Sequence, residues 1–460
     1  MKQRPKPEVL VLAPADPEDI LFQKLVDMMV EQGIHIAADR GDRLPRRLPA
    51  DLSGFKALVV DEGLPLAREL PAAARARTVF YRKPKEFSWH NERPLWIWVS
   101  QLFMEHGVVR QNAHFLERNA ARRDRDVILG QIETSLRVEP DWNRKYCDAT
   151  LVRLQGAWAA ARHYGQKDLR EQVLACVHEA LDLHADAPVY GPGTNAAGLF
   201  KHPIFPGLLL ELWEDAGEER FRDEALAVIE PLREAKRIAR DWTRGRPFLQ
   251  TESLDRKPWQ WALKARLFNE PGYFQSAVDV MKAGHAALFD TRSNLWAHYG
   301  IRGVRRGLPW GRGQGWALYG LVGLLENLPA GHPDRPLLQG WLDATAEGLR
   351  RTQDSATGLW HNVMGNADTR LEMSGTAKVT RFLCRAWRKK LTRQPFVPEL
   401  CRRAWRGIKA HTFGHRSCTR CYGTGPGDEV SFYATIGAGG DMKSAQQAGI
   451  EYVRAFGELA

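Results

Sequence analysis

Predicted helical segments, separated by loops that contain Gly and Pro, fill the chain from about residue 141 to its end. Their apolar residues recur at the helical period of about 3.6 residues, so that Leu208, Leu209, Leu212 and Trp213 share one face. Six antiparallel pairs of helices are the number that an (α/α)6 barrel, or six-hairpin toroid, requires, and we therefore expect this mainly α fold. The predicted helices lie near residues 143–164, 167–186, 205–216, 218–240, 257–268, 271–288, 313–328, 334–353, 372–390, 396–410, 428–438 and 442–457.

Long loops alternate with short ones between these helices. Because every second connection in a ring of helical pairs lies at the same end, we expect the long loops to gather there and form a single cleft. The long loops are those at 188–204, 241–256, 290–312, 354–371 and 411–427.

The beginning of the chain has a different pattern, in which short apolar runs alternate with an amphipathic segment. This order indicates a small parallel α/β domain over residues 1–115, followed by a helical connector to about residue 140 and the barrel domain at 141–460. No G-x-G-x-x-G motif follows the first strand, so the sequence does not favour nucleotide binding. The predicted elements are strands at Val9–Leu12, Ile34–Ala37 and Ala57–Val60 and a helix at Pro17–Gln32.

Charge and composition narrow the range of partners. The net charge of +11 and an isoelectric point near 9.4 favour acidic ligands such as uronic acid sugars. Lys and Arg are spread along the chain and no apolar run reaches membrane-spanning length, so we expect neither nucleic acid nor membrane as a partner. The six Cys form no even disulfide framework and the first residues lack a signal peptide's apolar segment, which predicts a cytoplasmic protein. The oligomeric state is left open.

The segment Leu308–Trp316 (LPWGRGQGW) indicates a carbohydrate site. Its two Trp offer flat faces for a sugar ring, and Arg312 between them offers a planar fork of donors for a carboxylate. Its three Gly allow the backbone and a ligand to approach closely. The apolar run that follows predicts a buried helix, which places this site at the end of a helical scaffold.

Six motifs in this order resemble those of the unsaturated glucuronyl and rhamnogalacturonyl hydrolases, a family of (α/α)6 enzymes. The resemblance implies removal of a 4,5-unsaturated uronic acid from oligosaccharides that polysaccharide lyases release, without a cofactor. The α/β region before residue 115 lies outside it. The motifs are Trp142–Tyr164, Gly207–Trp213 (GLLLELW), Leu254–Asp255 ahead of Glu270–Tyr273, Leu288–His298 (LFDTRSNLWAH), Trp310–Trp316 (WGRGQGW), and the C-terminal set Gly358–His361, Leu371–Ala377 and Cys421–Gly427.

The resemblance also assigns expected roles to individual residues. Asp255 stands where the family has the Asp that protonates the unsaturated ring, although an Asp before a helix is also a preferred N-cap. We expect Trp310 to stack on the sugar, Arg312 to pair with a carboxylate and His298 to contact the substrate. The expected substrate-binding set is completed by Trp259, Trp316 and His361, and Glu372 is expected to fix a loop.

One position departs from the family pattern. Where the family carries a second active-site Asp, five residues before Gly207, this chain has His202, preceded by Lys201. We predict that His202 replaces that Asp in the catalytic set. The local positive charge would suit a substrate with more than one anionic group and would favour a neutral imidazole.

Two other functions stay open at this point. The first is an (α/α)6 hydrolase of a saturated uronoside or another sugar, with acid/base chemistry by Asp255 and a second carboxylate such as Glu252. The second is a non-catalytic sugar-binding or regulatory protein on the same fold. Zinc is a further open question, because His411, His415, Cys418 and Cys421 are suitable ligand types, whereas the resemblance accounts for Cys421 and implies no metal.

Overall fold

The computed structural model of the chain divides it into two compact units. The first comprises residues 1–121, 410–414 and 437–440, and the second comprises residues 122–409, 415–436 and 441–460. The described residues are 9–12, 36–38, 52–61, 65–81, 117, 119–138, 147–183, 206–234, 248–254, 256–301, 303–369, 371–413, 417–418, 421–422, 429–430, 433, 438–439 and 443–458.

The first unit contains a parallel sheet of four strands in the order β2-β1-β3-β4. Apolar side chains on β1 and β3, including Leu10, Leu58 and Val60, are buried in its core. The parallel α/β unit predicted from the sequence is therefore confirmed, although β4 was not predicted and the predicted helix 17–32 lies outside the described residues. The elements are β1 (Val9–Leu12), β2 (Ile36–Ala38), β3 (Ala57–Asp61), a 3-10 turn at Pro65–Arg68, α1 (Ala72–Arg75) and β4 (Thr78–Tyr81).

Twelve of the described helices, all in the second unit, form two concentric sets of six. The inner set is α3 (Cys147–Tyr164), α5 (Pro206–Ala216), α7 (Arg256–Phe268), α9 (Gly311–Asn327), α11 (Met373–Arg388) and α13 (Lys443–Phe456). The outer set is α2 (Asp124–Val138), α4 (Lys167–Leu183), α6 (Glu219–Glu234), α8 (Gly272–Leu288), α10 (Arg335–Thr352) and α12 (Val397–Ala410).

The inner helices pack against one another in chain order and close into a ring. Each of α5, α7, α9 and α11 contacts the next inner helix, and α13 packs against α3. Between α3 and α5, the amide Nε2 of Gln155 donates to Glu211 Oε2 over 3.1 Å, and the indole of Trp158 donates to Asp215 Oδ2 over 2.8 Å. Nearly every residue of α9 is buried, whereas α10 buries one face only, as inner and outer positions require. The predicted (α/α)6 barrel is confirmed.

The predicted helices agree with the observed ones to within a few residues, with two differences. The stretch assigned to a connector contains α2, which packs against α3 and α13 and so supplies the twelfth barrel helix. The predicted helix at 428–438 lies largely outside the described residues. None of the described helices is long and apolar enough to cross a lipid bilayer.

Short strands lie in the long connections that precede inner helices. In the described residues, β5 pairs with β8 and β8 with β9, while β6 pairs with β7 and β10 with β11. The strands are β5 (Phe248–Gln250), β6 (Phe289–Asp290), β7 (Leu295–Trp296), β8 (Tyr299–Ile301), β9 (Val304–Arg305), β10 (Trp360–His361), β11 (Leu371–Glu372), β12 (Thr412–Phe413), β13 (Ser417–Cys418), β14 (Cys421–Tyr422) and β15 (Ala438–Gly439).

Glycines allow three inner helices to pack closely around one tryptophan. The ring of Trp259, on α7, lies over Gly207 of α5, and a methyl group added to Gly207 would come within 2.2 Å of it. On the other neighbour, α9, a methyl group at Gly323 would lie 2.7 Å from the Cβ of Trp259. Trp259 therefore fills the space between its two neighbouring inner helices.

Replacing Gly207 by Ala is expected to destabilise the barrel, because the new methyl group overlaps the Trp259 ring and displaces it. Overpacking of this kind costs about 1–3 kcal/mol. The matched control is Gly340→Ala on outer helix α10, where an added methyl group meets no described atom within 4 Å. There the better helix propensity of Ala is expected to raise stability by about 1 kcal/mol. Chemical denaturation measures both, and equal stabilities of the two variants would contradict this account of the packing.

Candidate active site

Hydrogen bonds join the connections before α7, α9 and α11 at one end of the barrel. The amide of Thr251 donates to the carbonyl of His298 over 3.0 Å, which links the first connection to the second. The amide of Gly311, the first residue of α9, donates to the carbonyl of Asn362 over 2.7 Å, which links the second to the third. The predicted gathering of long loops is therefore observed for these three connections.

A chain of side-chain contacts runs through the same loops. The indole of Trp310 donates to Asn362 Oδ1 over 3.1 Å, and Asn362 Nδ2 donates to the carbonyl of Tyr433 over 3.2 Å. The hydroxyl of Tyr433 lies 2.7 Å from Nδ1 of His298, whose Nε2 lies 3.3 Å from Oε1 of Glu252. We call these five residues the Glu252–Trp310 network. It connects the ends of loops that are far apart in the sequence.

Glu252 lies in the 3-10 turn Thr251–Ser253, directly before α7. Its Oε2 accepts a hydrogen bond of 3.1 Å from the hydroxyl of Thr251. Burial favours the neutral acid, but the hydrogen bond and charge of His298, together with the bonds from its own turn, outweigh it and lower the pKa of Glu252 below its usual value. Glu252 is therefore a carboxylate at neutral pH.

Trp310 lies at the N-terminal end of α9 and is only 1% exposed. The imidazole of His298 packs on it with 4.4 Å between ring centroids, and the guanidinium carbon of Arg312 lies 4.7 Å from its ring centroid. The structure thus lacks the open indole face that stacking of a sugar on Trp310 requires. In this conformation Trp310 supports His298 and Arg312 instead.

Arg312 lies in the first turn of α9 and is half-buried. Its Nη1 donates to the hydroxyl of Ser374 over 3.3 Å, and that hydroxyl in turn donates to Glu372. Glu372 is the N-cap of α11, where its carboxylate accepts from the amides of Ser374 and Gly375. Arg312 is therefore oriented by its place in the first turn of α9 and by its contact with the first turn of α11. Glu372 fixes the loop before α11, as the sequence indicates.

The other residues predicted from the sequence lie in different surroundings. Trp316 is 6% exposed and has the ammonium of Lys378 3.9 Å from its ring centroid, while Trp259 is enclosed by helices as described above. His361 is half-buried, and its Nδ1 contacts the carbonyl of Thr369.

Asp255 and His202 lie outside the described residues. The roles of these five residues in catalysis or substrate binding stay predictions.

Two members of the network were not predicted from the sequence. Asn362 directly follows the Gly358–His361 motif, so its position beside that motif could have identified it as a candidate site residue. Tyr433 carries no such signal, because its partner His298 is 135 residues away in the chain. Among the described residues, which do not include His415, there is no group of three or more side chains that could hold a metal ion.

Comparison with known proteins relates the barrel to enzymes of carbohydrate degradation. Unsaturated rhamnogalacturonyl hydrolase YesR of Bacillus subtilis is 28% identical over 121 residues, which are 26% of this chain. That segment spans only 35% of the length of YesR, about a third of this curated relative.

Solved structures share the fold at low sequence identity. A possible member of the GH105 family from Klebsiella pneumoniae superposes with a TM-score of 0.60 at 19% identity, covering 72% of this chain and 91% of that one. The unsaturated glucuronyl hydrolase of Bacillus sp. GL1 superposes with a TM-score of 0.52 at 14% identity, covering 72% and 94%.

The family itself is shown by a sequence profile rather than by these structures. The profile described as Glycosyl Hydrolase Family 88 matches residues 130–438, which include the three connections that meet at the site and the whole Glu252–Trp310 network. The chain therefore belongs to glycosyl hydrolase family 88.

Proposed function

We propose that the protein removes an unsaturated uronic acid from the non-reducing end of an acidic oligosaccharide by hydrating its C4–C5 double bond. One observation carries this proposal. The residues that match the family include the loops that bring His298, Arg312 and the carboxylate of Glu252 to one end of the barrel. The names of two relatives, an unsaturated rhamnogalacturonyl hydrolase and an unsaturated glucuronyl hydrolase, support the same chemistry.

In the proposed reaction Asp255 donates a proton to C4 of the unsaturated ring while water adds at C5. The hemiketal formed in this way opens to a ketone and then releases the rest of the oligosaccharide. Arg312 pairs with a carboxylate of the substrate, since a guanidinium can bond both oxygens of that group at once. His202 takes the role of the second Asp of the family pattern, and its sequence neighbour Lys201 favours a neutral imidazole and an additional anionic group on the substrate.

Oligosaccharides released by polysaccharide lyases test the proposal directly. Their conjugated double bond absorbs in the ultraviolet, and hydration removes this absorbance. We expect the absorbance to fall as sugar is released. Sugar release at constant absorbance would instead indicate hydrolysis of a saturated uronoside, and binding without turnover would indicate a sugar-binding protein; either result would contradict the proposal.

Asp255→Asn is expected to lower turnover by about 100- to 10,000-fold, the range that a positioned acid contributes. Asn is as good an N-cap as Asp, so the substitution leaves a capping role at the start of α7 intact and removes only the proton. Affinity for the oligosaccharide, measured by calorimetry, is expected to change little. Asp279→Asn on outer helix α8 is the matched control and should keep full activity. Near-normal turnover by Asp255→Asn would exclude Asp255 as the acid.

Arg312→Lys is expected to weaken substrate binding by about tenfold or more, because an ammonium keeps the charge but cannot form two parallel bonds to a carboxylate. The change should appear mainly in KM. Arg402→Lys is the control, since Arg402 forms an exposed ion pair with Glu399 on outer helix α12. Unchanged KM for an acidic oligosaccharide would show that Arg312 only braces Trp310 and Ser374.

A further inference from the structure

The carboxylate of Glu252 is the accessible end of the Glu252–Trp310 network. The side chain of His298 is 1% exposed, whereas that of Glu252 is 28% exposed. Tyr433, on the opposite side of His298, is also 1% exposed. Among these three bonded groups, Glu252 is therefore the one that a water molecule can reach.

The hydrogen bonds around His298 fix the orientation of the Glu252 carboxylate. With Nδ1 of His298 facing the hydroxyl of Tyr433, Nε2 carries a proton that points to Oε1 of Glu252. Asn362 in turn holds the backbone of Tyr433. His298 and Tyr433 are positioning residues in this arrangement, because they orient and stabilise the ionised form of Glu252.

The carboxylate keeps acceptor capacity beyond these bonds. Its Oε1 faces His298 and its Oε2 faces the hydroxyl of Thr251, but two carboxylate oxygens together offer about four acceptor positions. Thr251 itself packs against the first turn of α9, the turn that carries Arg312. The accessible carboxylate thus lies beside the helix start that presents the candidate cation for an acidic sugar.

We propose that Glu252 is the general base of the reaction and takes the proton of the water molecule that adds to the sugar ring. This inference rests on the proposed function, and it adds a second carboxylate with the opposite task to Asp255. An acid and a base in one site need different environments, and the partners of Glu252 are those that keep a carboxylate charged.

Bonds and protons balance in this step. The proton of Asp255 forms a bond to C4 as the C4–C5 double bond breaks, and the water oxygen forms a bond to C5. Glu252 receives one proton of that water, so the ring gains one water molecule and the two carboxyl groups exchange protonation states. Transfer of one proton from Glu252 to solvent and one from solvent to Asp255 restores the enzyme, with no oxidant or reductant required.

Glu252→Gln tests the role of the charge. The amide oxygen can still accept from His298 or Thr251, but it cannot take a proton from water. We expect kcat on the unsaturated oligosaccharide to fall about 100- to 10,000-fold, with KM changed by less than about threefold. The acidic limb of the wild-type kcat profile, which reports protonation of the base, should be absent from the remaining activity of the variant. Among the described residues, His298 is the titratable group bonded to Glu252, and Tyr433 is the one bonded to His298.

Chemical rescue separates this role from a structural one. Glu252→Ala leaves a space beside His298. Added formate is expected to raise the kcat of this variant at least about tenfold, because a small carboxylate can act as the base. Glu347→Gln is the control, since Glu347 bonds Arg350 on outer helix α10 and should keep full activity with no response to formate. Circular dichroism and thermal unfolding establish that each variant is folded.

The outcomes distinguish this inference from the proposed function. Wild-type protein that leaves the double bond intact would overturn both. An active wild type together with a Glu252→Gln variant of full kcat and unchanged pH profile would overturn the general-base role alone. A folded Glu252→Ala variant that formate does not rescue would also count against it. Loss of kcat, loss of the acidic limb and rescue by formate together support it.

Discussion

The burial of His298 is the constraint on which the rest of the site depends. A ring with 1% exposure cannot satisfy its two nitrogens with bulk water, so it needs a partner on each side. Those partners, Glu252 and Tyr433, come from the connections before α7 and α13. Satisfying one imidazole therefore fixes three connections relative to one another, and Trp310 and Asn362 extend the same bonds to α9 and α11.

The barrel makes this arrangement possible because the inner helices α7, α9 and α11 begin at the end where the loops meet. The starts of α7, α9 and α11 are brought together by backbone hydrogen bonds, and Arg312 lies in the first turn of α9. Helix N-termini carry partial positive charge, so this end of the ring suits an acidic ligand. A net charge of +11 acts in the same direction over longer distances. The helix starts and the net charge thus both favour the acidic substrate that we propose.

Most of the fold could be predicted from the sequence, because long amphipathic helices with Gly and Pro between them give a strong periodic signal. Helix α2 was assigned to a connector, since its Arg-rich surroundings obscure the short apolar set Val127, Ile128 and Ile132 that it buries. The strand β4 was missed because it is short and lies outside any recognised motif.

The site was only partly predictable, since motifs identify residues without showing which of their faces are covered. An indole beside an Arg indicates sugar stacking, yet Trp310 is enclosed by His298, Arg312 and Asn362.

The space that Trp259 fills is set by Gly207 and Gly323, which the sequence places 116 residues apart and only the closed ring brings together. The pairing of His298 with Tyr433 likewise depends on closure of the barrel.

Our central claim is that the reaction proceeds by protonation of a ring carbon. Running the reaction in D2O tests this claim most directly. A lyase-generated disaccharide is incubated with the enzyme, and the released sugar is analysed by nuclear magnetic resonance and mass spectrometry at early times. Incubation of the product without enzyme corrects for slow exchange. We expect one deuterium bound to C4 in a single configuration. A released sugar that retains its double bond and carries no carbon-bound deuterium would contradict it.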